Sequence, residues 1–128
     1  EDLTRVLPLA DHVVNIMALN ASTQPFVNAR RISWFKPGAN FYNIGRGQTV
    51  DERALMEALQ TGRLGAAYLD VFETEPLPPD HALWTTPNCY LTPHSAGGRG
   101  DQDEAIVQHF LKNLAAFEQS GAMVDRVI

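Results

Sequence analysis

The chain has 128 residues, which is enough for about one domain. An apolar content of 45% and a charged content of 20% are ordinary for a globular protein. The net charge of −5, and the lack of any apolar run approaching the ~20 residues of a membrane span, argue against nucleic acid and membrane as partners.

The first half of the chain predicts two strands with short helices around them. Residues 12–19 (HVVNIMAL) form a β-branched, mostly apolar run that suits an interior parallel strand. Pro37 and Gly38 are a breaker pair that ends the helical pattern before the next strand. The predicted elements are a short helix in residues 2–9, a strand at 12–19, a loop at 20–24, a short helix within 26–35 and a strand at 40–44.

The next segment predicts one clear helix and two further strands. Thr49 and Glu52 match a capping box at the start of this helix, and Gly62 is placed just after its end. Small residues in the strand at 65–71 would let helices pack closely. The elements that follow are an irregular segment at 73–80, one helical turn at 81–84 and a strand at 89–92.

The last helix is predicted to begin near Asp101, because Glu104 follows at capping-box spacing. Ser120 and Gly121 are expected to end it. Apolar residues recur every three or four positions and give the helix an amphipathic face made of Ile106, Phe110, Leu114 and Phe117.

Helices and strands alternate through most of the chain, with connections long enough for right-handed crossovers. This pattern predicts an α/β fold with a parallel sheet of about four strands, followed by a C-terminal amphipathic helix.

The single cysteine, Cys89, excludes an intramolecular disulfide and fits a reducing, cytoplasmic location. It lies in a predicted strand, where a small buried side chain is expected. Three of the histidines, His12, His81 and His109, are not spaced from another His, Cys or carboxylate as metal ligands are, so no metal site is expected. The sequence opens at Glu1 without Met and without a secretory pattern, and we expect it to be a fragment.

Three chemically active residues follow three successive predicted strands. Arg46, Glu75 and His94 each lie in the loop after an apolar run. In an open parallel sheet, the loops at the carboxyl ends of the strands form the ligand crevice. A fixed cation, an acid and a histidine there can bind a carboxylate and move a proton.

Each of these residues alone also has a simpler interpretation. Arg46 and Glu75 could be solvated loop side chains, and His94 could merely close a strand end. Their convergence on one edge of the sheet is what favours an active site.

No dinucleotide fingerprint of the form Gly-x-Gly-x-x-Gly follows a strand in this sequence. Residues 45–47 (GRG) have the wrong spacing, and residues 97–100 (GGRG) lack an acidic residue about 20 positions later. A pyrophosphate site is therefore not located, and we expect this chain alone neither to bind NAD(P) tightly nor to turn over substrate.

Several linked motifs give the chain a resemblance to a known family. They are residues 43–47 (NIGRG), 50–52 (VDE), 65–72 (GAAYLDVF), 75–77 (EPL) and 92–94 (TPH). In this order and spacing they resemble the D-isomer-specific 2-hydroxyacid dehydrogenases, which reduce 2-keto acids with NADH or NADPH. The resemblance implies that residues 1–98 are the second half of a Rossmann-like NAD(P)-binding domain. Residues 99–128 would then be a terminal helix and tail that return toward a substrate domain.

The resemblance also implies a role for each catalytic candidate. Arg46 would bind the substrate carboxylate and carbonyl oxygen, and a guanidinium can hold a carboxylate with two hydrogen bonds. His94 would protonate the carbonyl oxygen as the hydride arrives. Glu75 would hold His94 by a hydrogen bond.

The implied cofactor is NAD or NADP, and the implied contacts are distributed over four loops. Asp70 would contact the nicotinamide side of the cofactor. The other implied cofactor-binding residues are Ile44, Gly45, Ala96 and Gly97 at the nicotinamide pocket, Ala18 and Thr23 on the adenosine side, and Arg46 and His94 themselves.

Two classes of function remain open at this point. The first is an oxidoreductase that reduces a small 2-keto acid of the glyoxylate or hydroxypyruvate type to a D-2-hydroxy acid, within a homodimeric parent. The second is a non-catalytic module that senses a dinucleotide. Formate oxidation is disfavoured, because formate enzymes that resemble this family usually lack a glutamate at the position of Glu75.

Overall fold

A computed structural model of the chain describes residues 2–98 and 100–119. They fall into two compact units, Glu1–Ala96 and Gly97–Ile128. The first unit contains a parallel sheet of four strands in the order β1-β2-β3-β4. The strands are β1 (His12–Asn15), β2 (Ala39–Asn43), β3 (Leu64–Leu69) and β4 (Cys89–Leu91). The predicted α/β class is confirmed.

Short helical elements connect the strands. They are α1 (Leu3–Val6) with a 3₁₀ turn at Leu7–Leu9, α2 (Ala29–Ile32), a 3₁₀ turn at Gly47–Thr49, α3 (Glu52–Gln60) and a 3₁₀ turn at Ala82–Thr85. In the second unit, α4 spans Gln102–Glu118.

The apolar core lies where α3 packs against the sheet. Phe41 of β2 and Leu55 of α3 are fully buried, and Leu64 of β3 is only 1% exposed. Burial of a side chain of this size stabilises the fold by about 1.5–3 kcal/mol. Cys89 is half-buried against this core, and burial raises the pKa of its thiol to about 11.

The opposite face of the sheet carries three tyrosines in register. Tyr42, Tyr68 and Tyr90 stack in sequence, with ring centroids 4.9 and 4.8 Å apart. Tyr68 and Tyr90 are 41% and 53% exposed, and Val14 on β1 is 55% exposed. This face is therefore aromatic and open.

Two features of β1 differ from the prediction. The strand ends at Asn15 instead of residue 19, because the N–H of Met17 turns back to donate to Asn15 Oδ1. It also lies at the edge of the sheet and not in its interior.

Both predicted capping boxes are wrong. The N-cap of α3 is Asp51, whose side chain accepts from the N–H of Ala54, whereas Thr49 is buried one turn earlier. The N-cap of α4 is Asp101, but its side chain makes no capping hydrogen bond. Gly62 does follow α3 with a left-handed φ of +72°, as predicted.

The apolar residues of α4 are 41–68% exposed along its predicted face. The predicted end of this helix at Ser120 and Gly121 lies outside the described residues. No helix in the described part of the chain is long and apolar enough to cross a membrane.

Candidate active site

The side chains of His94 and Glu75 form a hydrogen-bonded pair beyond the carboxyl ends of β3 and β4. Nδ1 of His94 lies 2.7 Å from Oε2 of Glu75. The other carboxylate oxygen, Oε1, accepts a hydrogen bond from the N–H of Phe72 at 2.9 Å. The two side chains are 49% and 35% exposed, so the pair is accessible from solvent.

The pKa of Glu75 determines how this pair is protonated. The hydrogen bond from His94 lowers that pKa most, the bond from the Phe72 N–H adds to the effect, and the positive charge of Arg46 acts in the same direction. Glu75 is therefore ionised near neutral pH and can only accept. Nδ1 of His94 must then carry the shared proton, which leaves Nε2 as the atom that can gain or lose one.

The backbone at His94 adopts an uncommon conformation. Its φ of +53° lies in the left-handed region, which few residues other than glycine occupy. Such strain persists where the surroundings enforce it, and it concentrates at functional sites. Here Asp70 holds the next segment, since its carboxylate accepts from the N–H groups of Ser95 and Ala96, both at 2.8 Å.

Asp70 is 4% exposed at the end of β3. Burial by itself raises the pKa of its carboxyl, but hydrogen bonds from the Thr92 hydroxyl and from the N–H groups of Ala96 and Ser95 outweigh burial and lower it. An ionised Asp70 thus anchors the loop that contains His94. Its implied contact with a nicotinamide stays a prediction.

Arg46 lies in the loop after β2 and is exposed. Its Nη1 donates to the carbonyl of Gly45 at 2.6 Å. Arg46 follows β2, Glu75 follows β3 and His94 follows β4, and the carboxyl ends of parallel strands lie at one edge of their sheet. The structure therefore brings the three catalytic candidates to one edge of the sheet.

Close backbone contact holds the Arg46 loop beside the Glu75 loop. A Cβ on Gly47 would lie 1.8 Å from the carbonyl carbon of Phe72, so only glycine fits there. Gln48 Nε2 donates to the carbonyl of Glu73 at 2.9 Å, and Glu52 Oε1 accepts from the Glu73 N–H at 2.8 Å.

An apolar cavity of about 690 Å³ adjoins the His94–Glu75 pair. Phe72, Leu77 and Trp84 contribute to its apolar wall, and His94 and Glu75 supply polar groups. The cavity has the composition expected of a small-molecule site, with apolar walls and a few polar groups.

The predicted cofactor-binding residues are only partly brought together. Ala18, Ile44, Gly45 and Arg46 line one cavity of about 460 Å³. Thr23 does not line this cavity, but its hydroxyl donates to the carbonyl of Ala18 at 2.8 Å.

Two further cofactor candidates lie elsewhere. Ala96 is tied to Asp70 on the His94 side, whereas Gly97 belongs to the second compact unit. The lining of the 460 Å³ cavity exposes more polar than apolar surface and includes the guanidinium of Arg46, so it fits a polar group of a dinucleotide.

Sequence reasoning missed several buried polar residues beneath these loops. Asn15, Asn43 and Thr49 are 4%, 1% and 0% exposed and hydrogen-bond to one another. The signal available for the two asparagines was their position at the ends of apolar strands.

Glu52 was also missed as a part of the site, because it was read only as a helix cap. It is 7% exposed, and burial raises the pKa of its carboxyl. Its Oε2 lies 3.5 Å from Nε2 of His81. Within residues 2–98 and 100–119, no group of three or more His, Cys, Asp or Glu residues is placed to hold a metal ion.

A parallel sheet with a cation, an acid and a histidine at its carboxyl edge is typical of an α/β protein whose ligand crevice lies at the carboxyl ends of its strands. Comparison with known proteins specifies the family. Residues 1–96 match the family model described as D-isomer specific 2-hydroxyacid dehydrogenase, NAD binding domain. The chain belongs to this family, and the resemblance seen in its motifs is confirmed.

Similar proteins are named as reductases and dehydrogenases. Glyoxylate/hydroxypyruvate reductase B of Citrobacter koseri is 46% identical over 93 residues, which are 73% of this chain and 29% of that protein. An NADPH-dependent glyoxylate/hydroxypyruvate reductase from Sinorhizobium meliloti, solved with NADP and sulfate, superposes with a TM-score of 0.87 at 33% identity over 98% of this chain and 40% of that one.

A third similar protein is a D-isomer specific 2-hydroxyacid dehydrogenase from Xanthobacter autotrophicus Py2, solved with NADPH and MES. It superposes with a TM-score of 0.84 at 35% identity, over 98% of this chain and 51% of that one. The chain thus spans between 29% and 51% of the length of these three relatives.

Proposed function

We propose that the protein containing this chain reduces a small 2-keto acid of the glyoxylate or hydroxypyruvate type to a D-2-hydroxy acid, with NADH or NADPH as the reductant. The names of the relatives support this substrate class. The observation that carries the proposal is the His94–Glu75 hydrogen bond at the edge of the sheet where the Arg46 loop also lies.

In this proposal Arg46 binds the substrate carboxylate and orients the neighbouring carbonyl. The dihydronicotinamide, when bound, supplies the hydride that is added to the carbonyl carbon. His94 donates the proton on Nε2 to the carbonyl oxygen, and Glu75 stabilises the imidazolium before transfer and holds the ring in place through Nδ1. In the reverse direction, neutral His94 takes the hydroxyl proton.

The residues that fit the cofactor in this chain are those that line the smaller cavity. Ile44 and Gly45 would hold the nicotinamide end, with the anchored loop at Ala96 beside it, and Ala18 would lie on the adenosine side. We also propose that residues 1–98 form half of an NAD(P)-binding domain and that residues 99–128 lead toward a substrate domain.

Two further parts of the proposal concern the whole protein, namely a homodimeric parent and a cytoplasmic location. The second is supported by the use of a single cysteine, Cys89, which fits a reducing compartment. Light scattering of the purified parent measures the first, and a mass inconsistent with two chains would contradict it.

The test of the function is His94→Asn in the parent enzyme. Asparagine tolerates the left-handed backbone at this position but cannot transfer the proton. We expect turnover of glyoxylate or hydroxypyruvate to fall by about 10²–10⁴-fold, measured as oxidation of NADPH and of NADH.

His12→Asn is the matched control. His12 is exposed and lies at the amino end of β1, whereas the candidate site lies at the carboxyl ends of the strands. Unchanged turnover in His94→Asn would contradict the proton-transfer role. A parent that binds the dinucleotide but reduces neither keto acid would favour the sensing module.

A further inference from the structure

Three buried polar side chains connect the loop after β1 to the loop after β2. Asn15 and Asn43 are the last residues of their strands and pair across the sheet. Nδ2 of Asn15 donates to Asn43 Oδ1 at 3.0 Å and to Thr49 Oγ1 at 2.7 Å. We call Asn15, Asn43 and Thr49 the asparagine–threonine network.

The network ends on backbone groups of both loops. Asn15 Oδ1 accepts from the N–H of Met17 at 3.1 Å, and Asn43 Oδ1 accepts from the N–H of Gly45 at 3.2 Å. The Thr49 hydroxyl donates to the carbonyl of Arg46 at 2.6 Å, and Asn43 Nδ2 donates to the same carbonyl at 3.3 Å.

These contacts fix the direction of every hydrogen bond in the network. Backbone N–H groups can only donate and a carbonyl can only accept, so the amide orientations of Asn15 and Asn43 are determined at both ends. The Thr49 hydroxyl must likewise accept from Asn15 and donate to the carbonyl of Arg46. Loss of one member leaves buried partners unpaired, which is unfavourable in a medium of low dielectric constant.

We propose that the asparagine–threonine network positions Arg46 for the substrate carboxylate and ties its loop to the cofactor side of the cleft. Asn15, Asn43 and Thr49 touch neither substrate nor cofactor in this role, so they are positioning residues. The backbone of Met17 and Gly45, which the network holds, lines the same cavity as Arg46. This inference rests on the proposed function, since it assigns Arg46 to the substrate.

The test compares three substitutions of similar size. Thr49→Val removes the hydroxyl and keeps the shape, and Thr49→Ser restores the hydroxyl. Thr86→Val is the matched control, because Thr86 is also buried and its hydroxyl also donates to a backbone carbonyl, that of Ala82 at 2.9 Å.

In the parent enzyme we expect Thr49→Val to lower kcat/KM for the keto acid by about 10–100-fold, mainly through a higher KM, because a small displacement of a positioning group has effects of this size. Thr49→Ser is expected to recover most of the loss. Thr86→Val is expected to lower the melting temperature to a similar extent and leave KM unchanged.

A second readout does not depend on activity. In the 128-residue chain, amide hydrogen exchange at Gly45 and Met17 should accelerate in Thr49→Val and not in Thr86→Val. If Thr49→Val does not fold, Thr49→Ala takes its place.

The outcomes separate this inference from the proposed function. A wild-type parent inactive on keto acids removes the proposed function and with it the role of the network toward substrate. With an active parent, an unchanged KM in Thr49→Val, an equal KM change in Thr86→Val or unchanged exchange at Gly45 and Met17 would each overturn the positioning role.

Discussion

At the scale of single residues, the pKa values of two glutamates of this chain are shifted in opposite directions. Hydrogen bonds from His94 and from a backbone N–H lower the pKa of Glu75, whereas burial raises the pKa of Glu52. The first carboxylate faces solvent beside a histidine, and the second lies beneath the loop that holds the first. The side chain is the same, and its surroundings determine the direction in which its pKa shifts.

Glu75→Gln is expected to reduce the stability of the fold more at neutral than at acid pH. The pKa of Glu75 is lower in the folded chain than its ordinary value of 4.5. Such a carboxylate stabilises the fold above that ordinary value, and the contribution is lost as the pH falls through the lowered one. The melting temperatures of wild type and Glu75→Gln should therefore differ at neutral pH and converge as the medium is acidified through the lowered pKa of Glu75.

Thermal unfolding followed by circular dichroism measures this difference, and the exposed Glu57→Gln is the control. A separation between the two melting curves that is constant over the whole pH range would contradict the predicted linkage.

Sequence alone predicted the Glu75–His94 hydrogen bond and missed Asn15 and Thr49. The first pair lies in motifs with a recognisable order, and both residue types carry chemistry that a site requires. The partners of Asn15 and Thr49 are set by how strands and turns pack in three dimensions. The spacing of residues along the sequence therefore does not predict these hydrogen-bond partners.

At the scale of elements, the loop after β2 and the loop after β3 are held together by a close approach of their backbones. Gly47 begins the 3₁₀ turn after β2, and the backbone of Phe72 occupies the space of its missing Cβ. The side chains of Gln48 and Glu52 then fasten the backbone of Glu73 on both of its polar groups.

Gly47→Ala is expected to force these loops apart and to destabilise the fold by about 1–3 kcal/mol, the range typical of overpacking. Urea unfolding of the 128-residue chain measures the change as a lower midpoint. Gly100→Ala is the control, because a Cβ there meets nothing within 4 Å. Equal urea midpoints for the two variants would show that the loops accommodate the added methyl group without a loss of stability.

The order and type of the elements were predictable, and their ends were less so. Alternation of apolar runs with helical patterns predicted all four strands. The prediction extended β1 to residue 19, because hydropathy does not reveal that Asn15 caps the next turn with its own side chain. The start of α3 was misplaced for a similar reason, since Asp51 and Thr49 are both good capping residues and only tertiary packing selects between them.

At the scale of the whole molecule, the open tyrosine face is the feature that most needs a partner. Parallel sheets are nearly always covered on both faces, and large exposed apolar patches mark interaction surfaces. Ile16 beyond β1 is 72% exposed, and Tyr90 on β4 is 53% exposed. The stack of three aromatic rings on this face was not predicted from the sequence.

We expect the 128-residue chain to associate as its concentration rises, because association would remove the apolar surface of this face from water. Sedimentation equilibrium measures the mass, and the double variant Tyr68→Lys with Tyr90→Lys should shift it toward the monomer. Gln60→Lys, on an exposed position of α3, is the matched charge control. A wild-type chain that stays monomeric at every concentration would contradict the expectation.

The asparagine–threonine network has a consequence for how the chain reaches this structure. Two short apolar strands such as β1 and β2 could align in more than one way at little difference in free energy. A slip of one residue would turn Asn43 to the other side of the sheet and leave Asn15 without its amide partner in the interior. Misaligned pairings of β1 and β2 are thereby less stable than the observed register.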